Sequence, residues 1–361
     1  MVSMTLRRKD GQARPRKTDD QASWSAVSPR RRVDGSFPSI EIVGQFRIHL
    51  AMSLCCVPMN GYSKIKIGQS MEIVERTKSA DGGCKYLLST GDLTKTVEST
   101  LFYLDEQRLP YLCVSCQIGC AIGCIFCETG RQKPLGNLDS DQIIRQVEIC
   151  LDDLEQETKG EIRKINTVLF AGMGEPMLNL PEIKKATIAI KSRRLAHRVT
   201  MTTMGIVSKF KELYEIPLDT LSISLHATRD DKRGWLIPGG AKYRIIDLID
   251  YADRYQKISG ARVIFNYLLL RGINDTDEDL HRLMTLINPN DFVVKLKYLN
   301  EISSVDDLKL KASDRFSVFA NELRENGYEC IVDISKGTDV WGGCGQLRSK
   351  SRTLRIALER K

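Results

Sequence analysis

Apolar and polar positions alternate in two different ways along the chain, and the change falls near residue 111. Upstream, short apolar runs with strand-like alternation are separated by the turn sequences Asp81-Gly82-Gly83 and Thr90-Gly91-Asp92. We expect strands there near residues 65–67, 71–74, 85–88 and 94–102. The pattern predicts a small β-rich extension over residues 39–110, followed by a core over residues 111–347.

In the core, strand-like runs alternate with longer stretches of helical period. The predicted strands lie near residues 165–171, 198–203, 219–225, 261–269, 292–298 and 328–334. The predicted helices lie near residues 140–157, 181–195, 206–214, 244–257, 276–287 and 313–326, with starts at Asp139/Ser140, Asp275/Thr276 and Ser313/Asp314 and a stop at Gly327. Such alternation predicts an α/β fold with a parallel sheet, as a βα barrel or a doubly wound sheet.

Polar and glycine-rich motifs follow the predicted strands and favour the barrel. They occupy residues 172–176, 202–205, 226–228, 271–275 and 300–301. In βα barrels the carboxyl ends of the strands carry the active site. The Gly-x-Gly-x-x-Gly sequence that opens a dinucleotide-binding fold is not found at the start of a βαβ unit. We therefore expect a barrel or partial barrel.

Composition narrows the class of protein. The 361 residues are 42% hydrophobic and 28% charged, and no stretch approaches the roughly 18 uninterrupted apolar residues of a membrane span. A transmembrane protein or a membrane partner is therefore not expected. The basic N-terminal residues are not followed by the apolar run of a secretory signal. We expect a cytoplasmic protein.

Positive charge is concentrated towards the two ends of the sequence. The net charge is +8, and residues 1–35 carry nine Lys/Arg against four Asp while residues 348–361 carry six against one. We predict a disordered basic tail over residues 1–38 and a basic C-terminal tail over residues 348–361. Basic segments suit an anionic partner such as RNA, and they equally suit a role in solubility alone.

The cysteines are unevenly distributed as well. Five of eleven fall within residues 113–127, and a reducing compartment disfavours a static disulfide framework. Cys120, Cys124 and Cys127 form a C-x3-C-x2-C motif, which can hold three irons of a [4Fe–4S] cluster and leave the fourth iron open. Zinc is the alternative, bound by Cys113 and Cys116 with Cys124 and Cys127, but the seven residues between those pairs are fewer than zinc ribbons use. The iron–sulfur interpretation is preferred.

This motif, with Phe126 before its last cysteine, resembles the signature of the radical S-adenosylmethionine (SAM) enzymes. The resemblance implies a partial (β/α)6 barrel, a [4Fe–4S] cluster on the three cysteines, and bound SAM. Residues 172–176 resemble the glycine-glutamate-proline motif of these enzymes, and residues 224–227 resemble another SAM-contacting stretch. The SAM-binding residues that it implies are Gly174, Glu175, Thr202, Ser224, Leu225, His226 and Asn300.

More narrowly, residues 80–350 resemble the RlmN/Cfr-type methyl synthases, which methylate an adenine carbon of RNA. The matching stretches are Cys113-Val-Ser-x-Gln-x-Gly-Cys120, residues 224–243 with Ile237-Pro238 and Lys242-Tyr243, Cys344-Gly-Gln-Leu347, and Val97-Glu98. The compact helical RNA-binding domain that usually precedes the β extension is not found in residues 1–60. The chain is therefore identified as a family member that lacks the usual form of that domain.

The resemblance also implies a reaction mechanism. Cys344 takes a methyl group from one SAM, and a second SAM is cleaved reductively to a 5′-deoxyadenosyl radical that removes hydrogen from the thiomethyl group. The methylene radical adds to the base, Glu98 removes the ring proton, and Cys113 attacks the Cys344 sulfur to form a transient Cys113–Cys344 disulfide. Two SAM molecules are consumed per turnover, and a flavodoxin or ferredoxin is the implied electron donor.

Three functional hypotheses follow from the sequence. The leading one is a methyltransferase that acts on an sp² carbon of adenine in rRNA or tRNA. A methyl synthase for a peptide or small molecule would not need an RNA-binding module. A non-catalytic iron–sulfur protein, for RNA binding or redox sensing, is disfavoured by the joint presence of Glu98, Cys113 and Cys344. No role is assigned to the remaining cysteines, which are Cys55, Cys56, Cys84, Cys116, Cys150 and Cys330.

Overall fold

The computed structural model describes residues 71–104, 108–300, 310–333 and 346–351. The predicted N-terminal tail, the predicted strand near residues 65–67, Cys344 and most of the predicted C-terminal tail lie outside the described residues. Within the described part of the chain, no helix has the length and apolar character needed to cross a membrane.

The described strands form one large sheet and one small one. They are β1 (Glu72–Lys78), β2 (Cys84–Ser89), β3 (Thr96–Tyr103), β4 (Pro110–Val114), β5 (Gln117–Ile118), β6 (Gly136–Asn137), β7 (Ile165–Phe170), β8 (Ala196–Thr203), β9 (Thr220–Ser224), β10 (Arg262–Leu268), β11 (Val293–Lys297) and β12 (Glu329–Asp333). The large sheet has the order β1-β2-β3-β4-β7-β8-β9-β10-β11-β12, while β5 and β6 pair with each other.

The large sheet changes from antiparallel to parallel at β4. Strands β1 to β4 pair antiparallel, and β4 then pairs in parallel with β7, where Cys113 lies opposite Leu169. Every later pair up to β11 and β12 is parallel. The α/β fold is confirmed, and the described sheet runs from β1 to β12 without closing, as in a partial barrel. β4 adds one parallel strand to the six predicted. The cysteine loop lies in the long connection between β4 and β7.

In the part of the chain that the structure describes, each predicted core helix is present, together with three short helices that the periodicity does not predict. The helices are α1 (Glu128–Arg131), α2 (Ser140–Glu157), α3 (Leu180–Ser192), α4 (Phe210–Leu213), α5 (Asp230–Leu236), α6 (Ile245–Ser259), α7 (Asp277–Leu286), α8 (Phe316–Glu325) and α9 (Gln346–Lys350). The unpredicted helices α1, α5 and α9 span two turns at most, too few to show a helical period.

Side-chain caps explain most of the predicted helix ends. Asp139 caps α2 in a capping box with Gln142, and Thr276 caps α7 by accepting the Asp279 N–H. α8 begins at Phe316, two residues after its predicted start, because the Ser313 hydroxyl accepts the Arg315 N–H in a turn before the helix. After α8, Gly327 adopts a left-handed φ of +84°, which ends the helix.

The parallel strands have one apolar face and one polar face. In β9 and β10, Leu221, Ile223, Val263 and Phe265 are fully buried among the apolar core residues. Polar side chains that alternate with them include Ser222, Ser224 and Asn266, which line a cavity. Parallel strands covered on both faces are usually continuously apolar, so this polar face marks the side of the sheet that is available for chemistry.

A buried amide joins the extension to the start of the cysteine loop. Gln146 of α2 has no exposed surface, and its Oε1 accepts the Ser115 N–H at 2.9 Å and the Ser99 hydroxyl at 3.1 Å. Its Nε2 donates to the Ser115 carbonyl at 2.9 Å. The loop backbone has no ladder partner at this point, so Gln146 satisfies both of its polar groups.

We predict that Gln146→Leu lowers the free energy of unfolding by about 3 kcal/mol, because several buried polar groups lose their partner at about 1–3 kcal/mol each. Urea unfolding of the full chain measures this loss. Gln156→Leu is the matched control, since Gln156 is an exposed residue of the same helix and its replacement should change stability by less than about 0.5 kcal/mol. Equal stability of the two variants would contradict the role of Gln146.

Candidate active site

A cavity of about 540 Å³ lies on the polar face of the sheet, a volume typical of cofactor and small-ligand sites. Its walls come from the cysteine loop, from residues along and after the parallel strands, and from residues of the β-rich extension between 79 and 104. The predicted site residues that line it are Cys113, Cys120, Cys124, Cys127, Gly174, Glu175, Thr202, Ser224, His226 and Asn300. Segments far apart in the sequence therefore meet at one cavity.

The cysteine loop is held on both sides by backbone hydrogen bonds. The N–H groups of Cys116 and Gln117 both donate to the Met173 carbonyl, at 2.9 and 3.1 Å. On the other side, the Ile125 N–H donates to the Leu236 carbonyl at 3.1 Å, and the Gly239 N–H donates to Ile122. The loop therefore has a fixed position between the motif at residues 172–176 and helix α5.

The three motif cysteines fit an iron–sulfur cluster. Cys120, Cys124 and Cys127 all line the cavity. A single ion would need three or more ligand atoms converging on one point, and among the described residues no group of His, Cys, Asp or Glu side chains does so. A cluster offers a separate iron to each thiolate, so its ligands need only surround a common space. This donor set and its common cavity match that requirement.

Burial is the main influence on the pKa of the Cys124 thiol. Desolvation, followed by the charges of Cys127 and Cys120, raises the pKa of its thiol well above the ordinary value. Metal binding needs the thiolate, so loading of this site would release a proton.

Glycine is required where the motif at residues 172–176 meets the loop. Gly174 has a φ of +107°, and a Cβ there would lie 2.6 Å from the Gln117 Cβ and 2.9 Å from the Cys116 sulfur. At Gly172 a Cβ would come within 2.6 Å of the Val114 carbonyl oxygen. Cys116, to which the sequence assigns no role, is buried against Gly174.

Glu175 follows and is almost fully buried at 4% exposure. Its carboxylate accepts the N–H groups of Met177 at 2.9 Å and Met204 at 2.8 Å and the hydroxyl of Thr203. Burial raises the pKa of Glu175, while these hydrogen bonds act in the opposite direction. Thr203 and Met204 belong to a motif that the sequence places after a strand, but their bonds to Glu175 could be found only in the fold.

His226 is held as a neutral imidazole. Its Nδ1 accepts the Leu268 N–H at 3.0 Å, which leaves the proton on Nε2. Burial, and next the charge of Arg233, lower the pKa of His226 to about 3. The ring meets Phe126 of the cysteine motif edge to face, with centroids 5.0 Å apart. The His226 and cysteine segments are therefore in direct contact.

Two predicted residues lie behind the cavity wall. Leu225 is fully buried and does not line the cavity, and its N–H donates to the Asn266 carbonyl at 3.0 Å. Glu98 is 2% exposed and is also absent from the wall. Its Oε2 lies 2.8 Å from the Lys85 ammonium, and its Oε1 accepts the main-chain N–H of Arg348 at 2.6 Å. Glu98 is thus held by β2 and α9.

Helix α9 connects Glu98 to the helix that follows the cysteine motif. The Arg348 guanidinium donates to the Gln132 side chain at 2.7 Å and to the Thr96 hydroxyl at 3.2 Å. The Ser349 hydroxyl donates to Glu128 of α1 at 2.6 Å and accepts from Gln132 at 3.0 Å. α9 begins two residues after Cys344, which itself lies outside the described residues.

Sequence reasoning missed three charged or polar residues of the site. Lys295 and Asn266 line the cavity beside Ser224, in one row across β9, β10 and β11. Burial, followed by the charge of Lys297, lowers the pKa of Lys295. Arg233 of α5 is 1% exposed and donates to the Ser224 carbonyl at 3.0 Å. Alternation along β11 could have identified Lys295, whereas a lone arginine in a short helix gives no such signal.

Comparison with known proteins agrees with this geometry. Residues 114–284 match the Radical SAM superfamily. The dual-specificity RNA methyltransferase RlmN of Paracoccus denitrificans is 36% identical over 293 residues, which cover 77% of this chain and 73% of the relative. The protein of the same name from Caulobacter vibrioides is 35% identical over 303 residues, covering 80% and 72%.

The fold has a close counterpart among solved structures. The crystal structure of a radical SAM methyltransferase from Sphaerobacter thermophilus matches with a TM-score of 0.68 and 30% identity, over 76% of this chain and 80% of that one. In sequence and in fold, the similarity extends over most of this chain and most of each of these relatives. The chain therefore belongs to the RlmN family of radical SAM methyltransferases.

Proposed function

We propose that this enzyme methylates an sp² carbon of adenine in RNA by way of an S-methylcysteine at Cys344. One observation carries the proposal: α9, which begins two residues after Cys344, is hydrogen-bonded both to Glu98 and to α1. α1 in turn begins directly after Cys127. One short helix thus contacts both the proposed base and the helix that follows the cluster loop, and the proposed methyl carrier lies two residues before that helix in the sequence.

Membership in the superfamily implies a [4Fe–4S] cluster and SAM. The cluster would be held by Cys120, Cys124 and Cys127, and SAM would lie in the cavity beside Gly174, Glu175, Thr202, Ser224, His226 and Asn300. Together the two cofactors supply one-electron chemistry that activates an otherwise inert methyl group. An electron donor of the flavodoxin or ferredoxin class, in the cytoplasm, would provide the electron.

Three residues of this chain would carry the methyl group, remove the ring proton and release the product. Cys344 accepts the methyl group from one of two SAM molecules and carries it on sulfur. Glu98 is the proposed acceptor of the proton from the ring carbon. In this structure it lies behind the cavity wall, bound to Lys85 and to the Arg348 N–H, so it must leave these partners to reach the ring.

Cys113 lies on the cavity wall, where its strand pairs with the strand of Glu98. The base is then crosslinked to Cys344 through the methylene carbon. We propose that the Cys113 thiolate attacks the Cys344 sulfur, so that the C–S bond of this crosslink breaks as the transient Cys113–Cys344 disulfide forms, and the released carbon takes a proton to become the methyl group.

The cavity wall carries charges of both signs. Arg198, Lys295 and Lys297 line it together with Asp81, Glu128, Glu175 and Asp333, and Lys297 is paired with Asp333 at 2.7 Å. The proposal of an RNA substrate therefore rests on the RNA methyltransferases that this chain is similar to, and not on the charge of this wall.

The cluster cysteines give the first test. Anaerobically reconstituted protein should contain about four irons per chain, and replacement of Cys120, Cys124 and Cys127 by Ala should abolish iron loading and 5′-deoxyadenosine production. Cys150→Ala is the control, because Cys150 is buried in α2 away from the cavity and should leave both unchanged. Stoichiometric zinc without SAM cleavage would contradict the radical chemistry.

The methyl carrier gives the second test. Mass spectrometry of the purified protein should find part of Cys344 as S-methylcysteine, because methyl loading precedes the radical step. Cys344→Ala should retain the cluster and transfer no methyl group, whereas Cys330→Ala on β12 should behave as wild type. Normal methylation by Cys344→Ala would show that the methyl group does not pass through this sulfur.

Substrate class is tested by blocking product release. Cys113→Ala removes the thiol that resolves the crosslink, so the substrate should remain covalently attached to Cys344. If the substrate is RNA, the purified variant should carry nuclease-sensitive nucleic acid, quantified by its absorbance after denaturing purification. The double variant Cys113→Ala/Cys344→Ala should carry none. A peptide or metabolite adduct in place of RNA would contradict the RNA assignment.

A further inference from the structure

Two aromatic side chains on the cavity wall, Phe102 of β3 and Tyr111 of β4, form a pair that packs outside the core. They lie opposite each other in the sheet, with ring centroids 5.8 Å apart and ring planes 24° from parallel. Both are half-buried and line the cavity. In the described part of the chain, neither belongs to the apolar core or to the partly buried apolar residues packed against it. Aromatic rings normally gain their stabilisation by burial, so this pair is available to a ligand with a flat apolar surface.

The aromatic pair lies beside Cys113. Tyr111 and Cys113 are two residues apart on β4, so their side chains share one face of the sheet, about 7 Å apart along the strand. On β3, Phe102 and Thr100 alternate in the same way, and Thr100 lies opposite Cys113. In the proposed mechanism, only a methylene carbon and the Cys344 sulfur separate the base from the attacking Cys113 thiol. The RNA strand must therefore pass next to the aromatic pair.

A cation lies in the same row of the sheet as Tyr111. Tyr111 is opposite Thr167 of β7, and Thr167 is opposite Arg198 of β8, so two strand spacings of about 4.8 Å separate the Tyr111 and Arg198 backbones. The Arg198 side chain is exposed and lines the cavity. Among the described residues, its guanidinium has no salt-bridge or hydrogen-bond partner. A planar guanidinium matches the oxygens of a phosphate in two parallel hydrogen bonds.

We propose that Phe102, Tyr111 and Arg198 form a nucleotide subsite, in which an unpaired base of the RNA stacks on the aromatic pair and Arg198 binds a neighbouring phosphate. Aromatic stacking combined with cationic contacts to the backbone is the usual way in which proteins hold single-stranded nucleic acid. A base within a duplex cannot stack on protein, so the subsite selects an unpaired segment of RNA. This inference rests on the proposed function and adds that the target lies in a single-stranded region.

The test is binding of a labelled oligoadenylate, about ten nucleotides long, to the full-length, anaerobically reconstituted protein, measured by fluorescence anisotropy. Tyr111→Ala should weaken binding at least about fivefold, because a stacked base contributes that factor or more. Tyr111→Phe keeps the ring and should bind as wild type does. Tyr214→Ala is the matched control, since Tyr214 is half-buried and stacks on Tyr255 away from the cavity wall, and it should leave binding unchanged.

Salt dependence separates the base contact from the phosphate contact. For a single strand, the logarithm of the binding constant falls with the logarithm of salt concentration by about 0.7 for each phosphate that the protein neutralises. Arg198→Gln should reduce this slope by about that amount, because one phosphate contact is lost. Tyr111→Ala should weaken binding with no change of slope. Arg254→Gln is the control, since Arg254 pairs with Asp250 on α6, and it should leave the slope unchanged.

A wild-type measurement keeps the test independent of how well the variants fold. Oligoadenylate carrying 8-azidoadenine should, on irradiation, label the β3–β4 segment that contains the aromatic pair. Labelling of other segments alone would overturn the subsite, as would equal affinity of the wild-type protein for an abasic oligomer of the same length. So would unchanged affinity in Tyr111→Ala or an unchanged slope in Arg198→Gln. RNA attached to Cys113→Ala would leave the proposed function standing in each case, whereas a peptide adduct there would refute the proposed function itself.

Discussion

The structure depends on how the loops at the strand ends satisfy their backbone groups. A strand finds its partners in the sheet, but a buried loop must find them elsewhere. Here buried amide side chains supply them. Gln146 holds the start of the cysteine loop, Asn179 donates to the carbonyls of Cys116 and Leu138, and Asn274 bonds three backbone groups around His226. Each amide therefore fixes a loop in the position that the cavity requires.

Against this background Arg233 differs from the amides. Gln146, Asn179 and Asn274 have partners for their buried polar groups, whereas Arg233 has partners for only part of its guanidinium. The Thr129 hydroxyl of α1 is likewise buried without a hydrogen-bond partner. These two residues are exceptions to the general pairing of buried polar groups in this part of the described structure.

Long elements could be predicted from the sequence because their periodicity persists over several turns or strands. The start of α2 follows from Asp139, and the cysteine motif follows from spacing alone. Contacts between short segments could not be predicted, because α1, α5 and α9 are too brief to show a period. The separation of Glu98 from the cavity wall likewise depends on which face of β3 is covered by α9. Arg233 resembles any surface arginine until α5 is packed against the loop.

The bond between Glu98 and the Arg348 N–H joins residues that are 250 positions apart. At about 5–20 residues per second, the ribosome makes Arg348 about 12–50 s after Glu98. The cysteine loop is complete early in that interval, and its neighbouring strands can pair while α9 does not yet exist. Translation therefore sets an order of assembly, in which the cysteine loop exists before the helix that contacts α1 and holds Glu98.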